Sequence, residues 1–547
     1  MHKFLIKHQT AFLLLIIVIF HVVTASYFMF NKNSRDRSIF STLPLDDAYV
    51  HFVYARNFAQ YGLLLFNSND PQTGATSPLY VIILSLFFKL GLGDYIVFIA
   101  KMIGIIFAIG TSFVVFYILK DLLRNIYFAF AGGLLIALSP FFNFAKISGM
   151  EVTLFSFLAL LSIYFFMKDR LLLTGFFTGL AILARPEGYV LFFTLLLHMC
   201  IQHFKDIRTK NPAILKRVLF FIIPVFILLL PYITYCLLVT GKPLPNTYYV
   251  KHLPYKSVVE MLPDLGNSIY LFLTTFTESI TKNFWFNLSV TNQTIISFSI
   301  FIVSLLFILP GIIFLCKKYK SRIFSIIVFP WILIMGLLFY VNPINIRGIF
   351  YDSRYFIPII PFLIIVITTS CYVGYTFIIK QGLVSKKKVI KYLTCIILLL
   401  IFCLSIMSFI SLNYWFALTY FRNTKNVYDL NVHLGYWVKK NIPPNAIIAL
   451  HDPGVIPFIS QIKSIDLLGL NTFQIVNFYY AYKKQNKPDA ILDFLREHNV
   501  SYIITYPSHL VEILEDKSYL VTEEVYRVQI SDNSFLDSNI TAVYKFK

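Results

Sequence analysis

Acidic side chains are scarce in this chain: its 547 residues carry 27 Asp and Glu, and charged residues of both signs make up 14% against 58% hydrophobic. A soluble domain carries charge on roughly a quarter of its residues, so a soluble enzyme is excluded and most of the chain's solvent is lipid. Cysteine is scarce too. The six residues, Cys200, Cys236, Cys316, Cys371, Cys395 and Cys403, lie within or at the edges of apolar runs, which excludes a disulfide framework in the polar segments. His198, His203, His252 and His433 lack metal-ligand spacing, and there is no internal repeat or low-complexity segment.

Aromatic and basic residues are plentiful. The 57 Phe and 35 Tyr bring aromatics to 18%, which suits membrane helices with interfacial belts and excludes disorder. The net charge of +20 is unevenly placed: residues 1–412 hold 34 Lys and Arg against 14 Asp and Glu, whereas residues 413–547 hold 13 of each. An excess confined to the hydrophobic part is a topology signal rather than affinity for nucleic acid.

Eleven apolar runs are candidate spans: 9–30, 95–119, 126–142, 149–167, 171–184, 188–202, 218–239, 295–316, 323–341, 356–379 and 392–412. With the N-terminus in the cytoplasm, the short cytoplasmic pieces carry 20 of the 47 Lys and Arg and the longer outer loops 13. The run from Pro78 to Leu92 is too short to span and holds Lys89; it is expected as an interfacial or re-entrant helix on the outer face. The result is a polytopic α-helical membrane domain, residues 1–412, whose first outer loop covers 31–94. An extracytoplasmic α/β domain follows over 413–547, with strands expected at 446–450 and 500–506 and helices at 429–440 and 489–498.

The most informative segment is Leu43-Pro44-Leu45-Asp46-Asp47-Ala48-Tyr49-Val50-His51, running on to Arg56-Asn57. Two carboxylates open an amphipathic helix, and i,i+4 spacing puts Asp47 and His51 on one face. Such a pair suits a divalent ion or a general base with an orienting group, and equally suits plain helix capping. Phe66-Asn67 and Gly74-Ala75-Thr76-Ser77-Pro78-Leu79 follow, then Ser148-Gly149-Met150-Glu151, Ala184-Arg185-Pro186-Glu187-Gly188, Pro245-Asn246-Thr247 through Lys251, and Ser353-Arg354-Tyr355-Phe356-Ile357-Pro358. Asp452-Pro453-Gly454 and Asp466-Leu467-Leu468-Gly469 lie in the tail. The inferred topology places all of these on the outer side.

In that order, these motifs resemble the GT-C superfamily of membrane glycosyltransferases, nearest the branch of the mycobacterial terminal arabinofuranosyltransferases. The resemblance covers almost the whole chain. It implies an inverting transfer from a polyprenyl-phosphate sugar to a glycan, lipid or protein acceptor at the outer face of the cytoplasmic membrane. Asp46 or Asp47 would take the acceptor's proton, and Lys101, Arg185, Lys251 and Arg354 would receive the leaving phosphate. His51, Arg56, Glu187 and Asn246 would line the substrate site, and Asp47 with Glu151 would hold a divalent ion (Mg, Mn or Ca). Plainer roles stand beside these: Lys101 snorkelling to the interface, Arg185 and Glu187 as an ion pair, Asn246 in an Asx turn, Asp352 and Arg354 as a surface pair. A transporter of lipid-linked sugars is the rival reading, although its ionisable groups would be expected near the membrane midplane.

Overall fold

In lipid a backbone segment must satisfy its own N–H and C=O groups, which an α-helix does without a partner; the long Leu-, Ile- and Phe-rich runs are helical for that reason. The computed structural model describes residues 2–30, 40–68, 70–203, 212–251, 308–318, 325–330, 332–333, 355–384, 410–475, 490–514, 521–534, 536 and 538–547. In order come α1 (His2–Met29), α2 (Asp47–Tyr61), a small hairpin of β1 (Leu65–Asn67) and β2 (Asp70–Pro71), α3 (Pro78–Lys89) and α4 (Ile96–Leu123). Next are α5 (Ile126–Leu138), α6 (Pro140–Ile147), α7 (Val152–Met167), α8 (Leu171–Ala184), α9 (Gly188–Gln202), α10 (Pro212–Thr240), the short α11 (Asn246–Lys251) and α12 (Ile360–Val384).

Among the described residues four helices are long and apolar enough to cross a membrane, His8–Met29, Gly93–Leu123, Ile214–Thr240 and Ile357–Phe377. A fifth arises if α5 and α6 count as one span. Helices α7, α8 and α9 are apolar but shorter, matching the expected runs closely. The expected spans over 295–316, 323–341 and 392–412 lie largely outside the described residues. One expectation needs correction: the run 126–142 is not a single straight helix. It breaks at Ser139 and turns by 57° into α6, because Pro140 has no N–H to continue the ladder and the Ser139 hydroxyl accepts from the Phe142 N–H at 3.4 Å. The twelve-residue α3 is about 18 Å long, too short for a bilayer core, and packs on α2.

Close packing in the bundle uses small residues, as expected where lipid supplies no hydrophobic drive. A Cβ added at Gly175 of α8 would fall 2.1 Å from the Phe221 carbonyl oxygen of α10. The bundle also holds a fully buried lysine that sequence reasoning missed. Lys146 of α6 donates to the His21 carbonyl (2.9 Å) and the Thr24 hydroxyl (2.7 Å) of α1, and to Asn143 Oδ1 (2.8 Å). Its three N–H groups meet three acceptors.

A helix over 410–427 continues without a break through one π turn, Tyr428–Val432, into α13 (His433–Asn441). The tail then adds β3 (Ile447–Leu450), α14 (Val455–Ser460), β4 (Lys463–Asp466), α15 (Ala490–Glu497), β5 (Tyr502–Thr505), α16 (Pro507–Leu514), β6 (Thr522–Gln529) and β7 (Ile540–Phe546). The sheet order is β4-β3-β5-β7-β6, with β4, β3 and β5 parallel and the last two strands antiparallel. Apolar clusters cover both faces. Ile491, Phe494 and Leu510 lie on one side, and Leu434, Val438 and Ile456 on the other, giving an α/β/α sandwich. The carboxyl ends of β3 and β4, where open parallel sheets usually bind ligands, sit against α2 and the first loop through the contacts given below.

Replacing Lys146 by Met keeps the apolar stem and strands three buried acceptors. The Lys146→Met protein is expected to lose about 1–3 kcal/mol of stability, read as a lower thermal unfolding midpoint in detergent; an unchanged midpoint would show the lysine to be dispensable.

Candidate active site

Helix α2 carries Asp47, His51 and Arg56 and follows directly on Asp46, and these candidate side chains lie in different surroundings. Asp46 precedes α2 in helical conformation, and its side chain makes no capping bond to the helix. Its carboxylate turns to the tail instead: Oδ2 accepts from the Gly454 N–H at 2.8 Å, and Oδ1 accepts from the Val455 N–H at 2.9 Å and Asn431 Nδ2 at 3.0 Å. The tail backbone approaches so closely that a Cβ on Gly454 would fall 2.1 Å from the Asp46 carbonyl oxygen. Burial, followed by the charge of Asp452, pushes the Asp46 carboxyl up to about 7, against the opposing hydrogen bonds from Val455 and Asn431; neighbouring Asp47 adds to the rise. Asp47 itself is exposed at the first position of α2.

One turn on, His51 faces inward. It is 6% exposed, with Nε2 3.1 Å from Glu151 Oε2. Its ring stands edge-on to Tyr80, 5.5 Å between centroids, and the Tyr80 hydroxyl donates to the Gly149 carbonyl at 2.8 Å. Glu151 Oε1 in turn accepts from Arg185 Nη1 at 2.5 Å, while Arg185 Nη2 and Nε donate to Glu187 Oε1 at 2.6 and 3.0 Å. The turn Arg185-Pro186-Glu187 between α8 and α9 and the start of α7 are thus tied to α2 by a buried chain, His51–Glu151–Arg185–Glu187. With two carboxylates around it, the Arg185 guanidinium is compensated in place.

The other candidates sit as follows. Lys101 of α4 is 2% exposed, and its ammonium donates to the carbonyls of Phe40 (3.0 Å) and Thr42 (3.1 Å), bracing the chain that leads to Asp46. Asn246 is fully buried; its N–H donates to the Thr73 carbonyl at 3.0 Å and its Oδ1 accepts from the Thr73 hydroxyl at 2.7 Å. That bond pair pins α11 to the first loop. Lys251 ends α11; its side chain, like Asp352 and Arg354, lies outside the described residues. Arg56 donates to the Phe458 carbonyl at 2.8 Å and lies 5.5 Å from the centre of that ring, so it grips the tail.

More of the tail contact comes from Asn67 of the Phe66-Asn67 motif, from Tyr54 of α2, and from Gln72, which no motif announced. Asn67 pairs with the Ser464 backbone in both directions, at 2.9 Å each way, as a strand would. The Tyr54 hydroxyl donates to Asn471 Oδ1 at 3.1 Å, and Gln72 Oε1 accepts from the Phe473 N–H at 3.2 Å. Asp466 is a turn residue, accepting from Leu468 N, Asn471 N and Asn471 Nδ2. Asp452 accepts from the Tyr506 hydroxyl at 2.6 Å.

The residues around Glu151 do not fit a divalent ion, since its two oxygens face the Arg185 guanidinium and the His51 ring. Among the described residues no group of three or more His, Cys, Asp and Glu side chains converges as a metal site would.

Solved structures of similar fold include proteins in complex with a polyprenyl phosphate. The archaeal oligosaccharyltransferase AglB from Archaeoglobus fulgidus, in complex with an inhibitory peptide and a dolichol-phosphate, is similar over 95% of this chain and 73% of its own, with a TM-score of 0.57 at 11% identity. A further structure of the A. fulgidus oligosaccharyltransferase, with Zn and sulfate, gives 0.54 at 11% identity over 93% and 71%. ArnT from Cupriavidus metallidurans bound to undecaprenyl phosphate gives 0.52 at 11% identity, over 97% of both chains. Residues 421–544 match a domain of unknown function (DUF8728), and no curated protein matches in sequence. The likeness shows the fold: the chain shares the overall architecture of these proteins along nearly its whole length, and its long apolar helices make it a multi-pass membrane protein.

A side chain at 454 is incompatible with the Asp46 contact. Gly454→Ala is expected to loosen the tail from α2, raising amide hydrogen exchange at residues 453–458 while the strand core at 503–505 stays protected. Exchange equal to wild type at 453–458 would show that the contact does not hold the tail.

Proposed function

We propose that the protein transfers a sugar, with inversion, from a polyprenyl-monophosphate carrier to a hydroxyl of a cell-envelope glycan, lipid or protein. The observation that carries this reading is the Asp46 carboxylate. It is half-buried where the first loop meets the tail, held from both oxygens by fixed donors, and raised to about 7. A general base works best when its pKa lies near the operating pH and its geometry is fixed.

In this account the acceptor oxygen attacks the anomeric carbon as its proton passes to Asp46. The bond from that carbon to the phosphate oxygen breaks, and the polyprenyl monophosphate leaves with the bonding electrons. Asp47, exposed at the first position of α2, raises the basicity of its neighbour. The leaving phosphate needs cations. Arg185 is already compensated by Glu151 and Glu187, and Lys101 is spent on backbone carbonyls. We therefore assign phosphate binding to Lys251 and Arg354, with Asn246 holding the helix that carries Lys251. His51 and Glu187 act through the ionic chain, and Arg56 through the tail. No step runs through a metal.

The charge asymmetry supports placing this end of the bundle outside the cytoplasm, with the N-terminus in the cytoplasm and residues 413–547 in the periplasm or extracellular space. The sugar is arabinofuranose, mannose or another pentose or hexose; the motif resemblance favours the arabinofuranosyltransferase-like branch.

Because the base must be ionised, kcat is expected to rise with pH through about 7 in wild type. Asp46→Asn should lower kcat by about 10²–10⁴-fold while hydrogen exchange in β4 remains native, held by the Asn67–Ser464 pairing. Asp47→Asn removes a charge that raises the Asp46 carboxyl, so the acid limb of the profile should move to lower pH. Wild-type turnover in Asp46→Asn would remove the assignment, and loss confined to Asp47→Asn would exchange the two roles.

A further inference from the structure

A cavity of about 540 Å³ opens in the tail between the π turn, α13 and β6, apart from every residue assigned above. One wall is aromatic. The Trp437 and Tyr526 rings stack with centroids 4.3 Å apart and planes 8° from parallel, and His433 continues the wall, its Nε2 2.8 Å from the Tyr526 hydroxyl. Tyr436, at the mouth, is 62% exposed. The rest of the lining mixes Tyr428 and Val432 with the polar side chains of Asp429, Lys440 and Asn441.

Flat aromatic faces beside hydrogen-bonding groups suit a ligand that has apolar C–H faces and many hydroxyls, which describes a sugar ring. The volume falls within the roughly 300–1,000 Å³ of pockets that hold small organic ligands. A lipid tail fits poorly, because Asp429 and Lys440 put charge in the lining. The exposed Tyr414 and Trp415, which suit an interfacial belt, lie about 30 Å back along the unbroken helix over 410–441.

The second observation is the π turn. Such turns are rare and recur at functional sites. Here Tyr428, Asp429 and Val432 of the turn line the cavity, while Asn431 of the same turn donates to Asp46. Five residues therefore join the cavity to the carboxylate.

We propose that this cavity is a saccharide-binding subsite that holds part of a glycan acceptor, with the π turn linking its occupancy to Asp46. The acceptor role rests on the transferase reading; saccharide binding does not. The test is calorimetric titration of the full protein in nanodiscs with methyl pentosides and hexosides, and with di- to tetrasaccharides released from the host's envelope polysaccharide. Millimolar or tighter binding of at least one is expected, weakened about tenfold by Tyr436→Ala and abolished by Trp437→Ala, with the exposed Tyr436 guarding against misfolding in the second variant. In the transfer assay, Tyr436→Ala should raise the acceptor KM about tenfold. Binding without transfer from any donor would sink the transferase reading and leave the subsite standing. Transfer with an unaltered acceptor KM in Tyr436→Ala, absence of saccharide binding, or binding only to lipid vesicles would overturn the subsite.

Discussion

The architecture turns on one carboxylate that belongs to the first loop and is bonded by the tail. Asp46 is 385, 408 and 409 residues from Asn431, Gly454 and Val455, and their bonds close very long loops. Such closure costs chain entropy, which the surrounding contacts must offset. Arg56 on the Phe458 carbonyl, Asn67 on the Ser464 backbone and Tyr54 on Asn471 all lie on the same loop and helix as Asp46. The grip that positions the tail also encloses Asp46 near Asp452, and that enclosure raises its carboxyl. Docking and basicity therefore share one cause.

Among the described residues, the buried cations near this junction each have polar partners where they stand. Arg185 lies between Glu151 and Glu187, His51 completes the chain, and Lys101 and Lys146 are satisfied by carbonyl, hydroxyl and amide oxygens. Removing one partner from such a chain leaves the other buried and unpaired, which costs more than the pair contributed. This arrangement holds three loops in fixed relation: the start of α7, the turn between α8 and α9, and the approach to α2. The first loop in turn fixes α11 through the two bonds between Thr73 and Asn246.

Much of this was legible in the sequence. Periodicity and length located α8 and α9 to the residue, and the short run after Ser77 is a helix too short to cross, as its length and Lys89 implied. In the tail, β3, β5 and α15 fell within a few residues of expectation, whereas the helix expected over 429–440 is the last part of one that runs unbroken from residue 410. Composition could not show the bend at Ser139, where proline chemistry overrides an unbroken apolar run. Nor could spacing show what Asp46 binds, because its partners include two backbone N–H groups hundreds of residues away, and backbone groups carry no sequence signature. Lys146 was hidden for a related reason: its acceptors are a carbonyl, a hydroxyl and an amide, with no acid to suggest an ion pair. Arg185 and Glu187 illustrate a milder limit. Two residues apart, they read as a local pair, whereas the structure adds Glu151 from another helix and His51 beyond it.

The central claim is that this junction breaks the bond between a sugar and a lipid phosphate. The most direct measurement is mass spectrometry of the lipid after incubating the purified protein in nanodiscs with polyprenyl-monophosphate sugars and crude envelope acceptors. The account predicts free polyprenyl monophosphate formed in step with glycosylated acceptor, with the anomeric configuration inverted. A donor that stays intact, while the same protein in sealed vesicles carries it from one leaflet to the other, would contradict the account and identify a carrier of lipid-linked sugar.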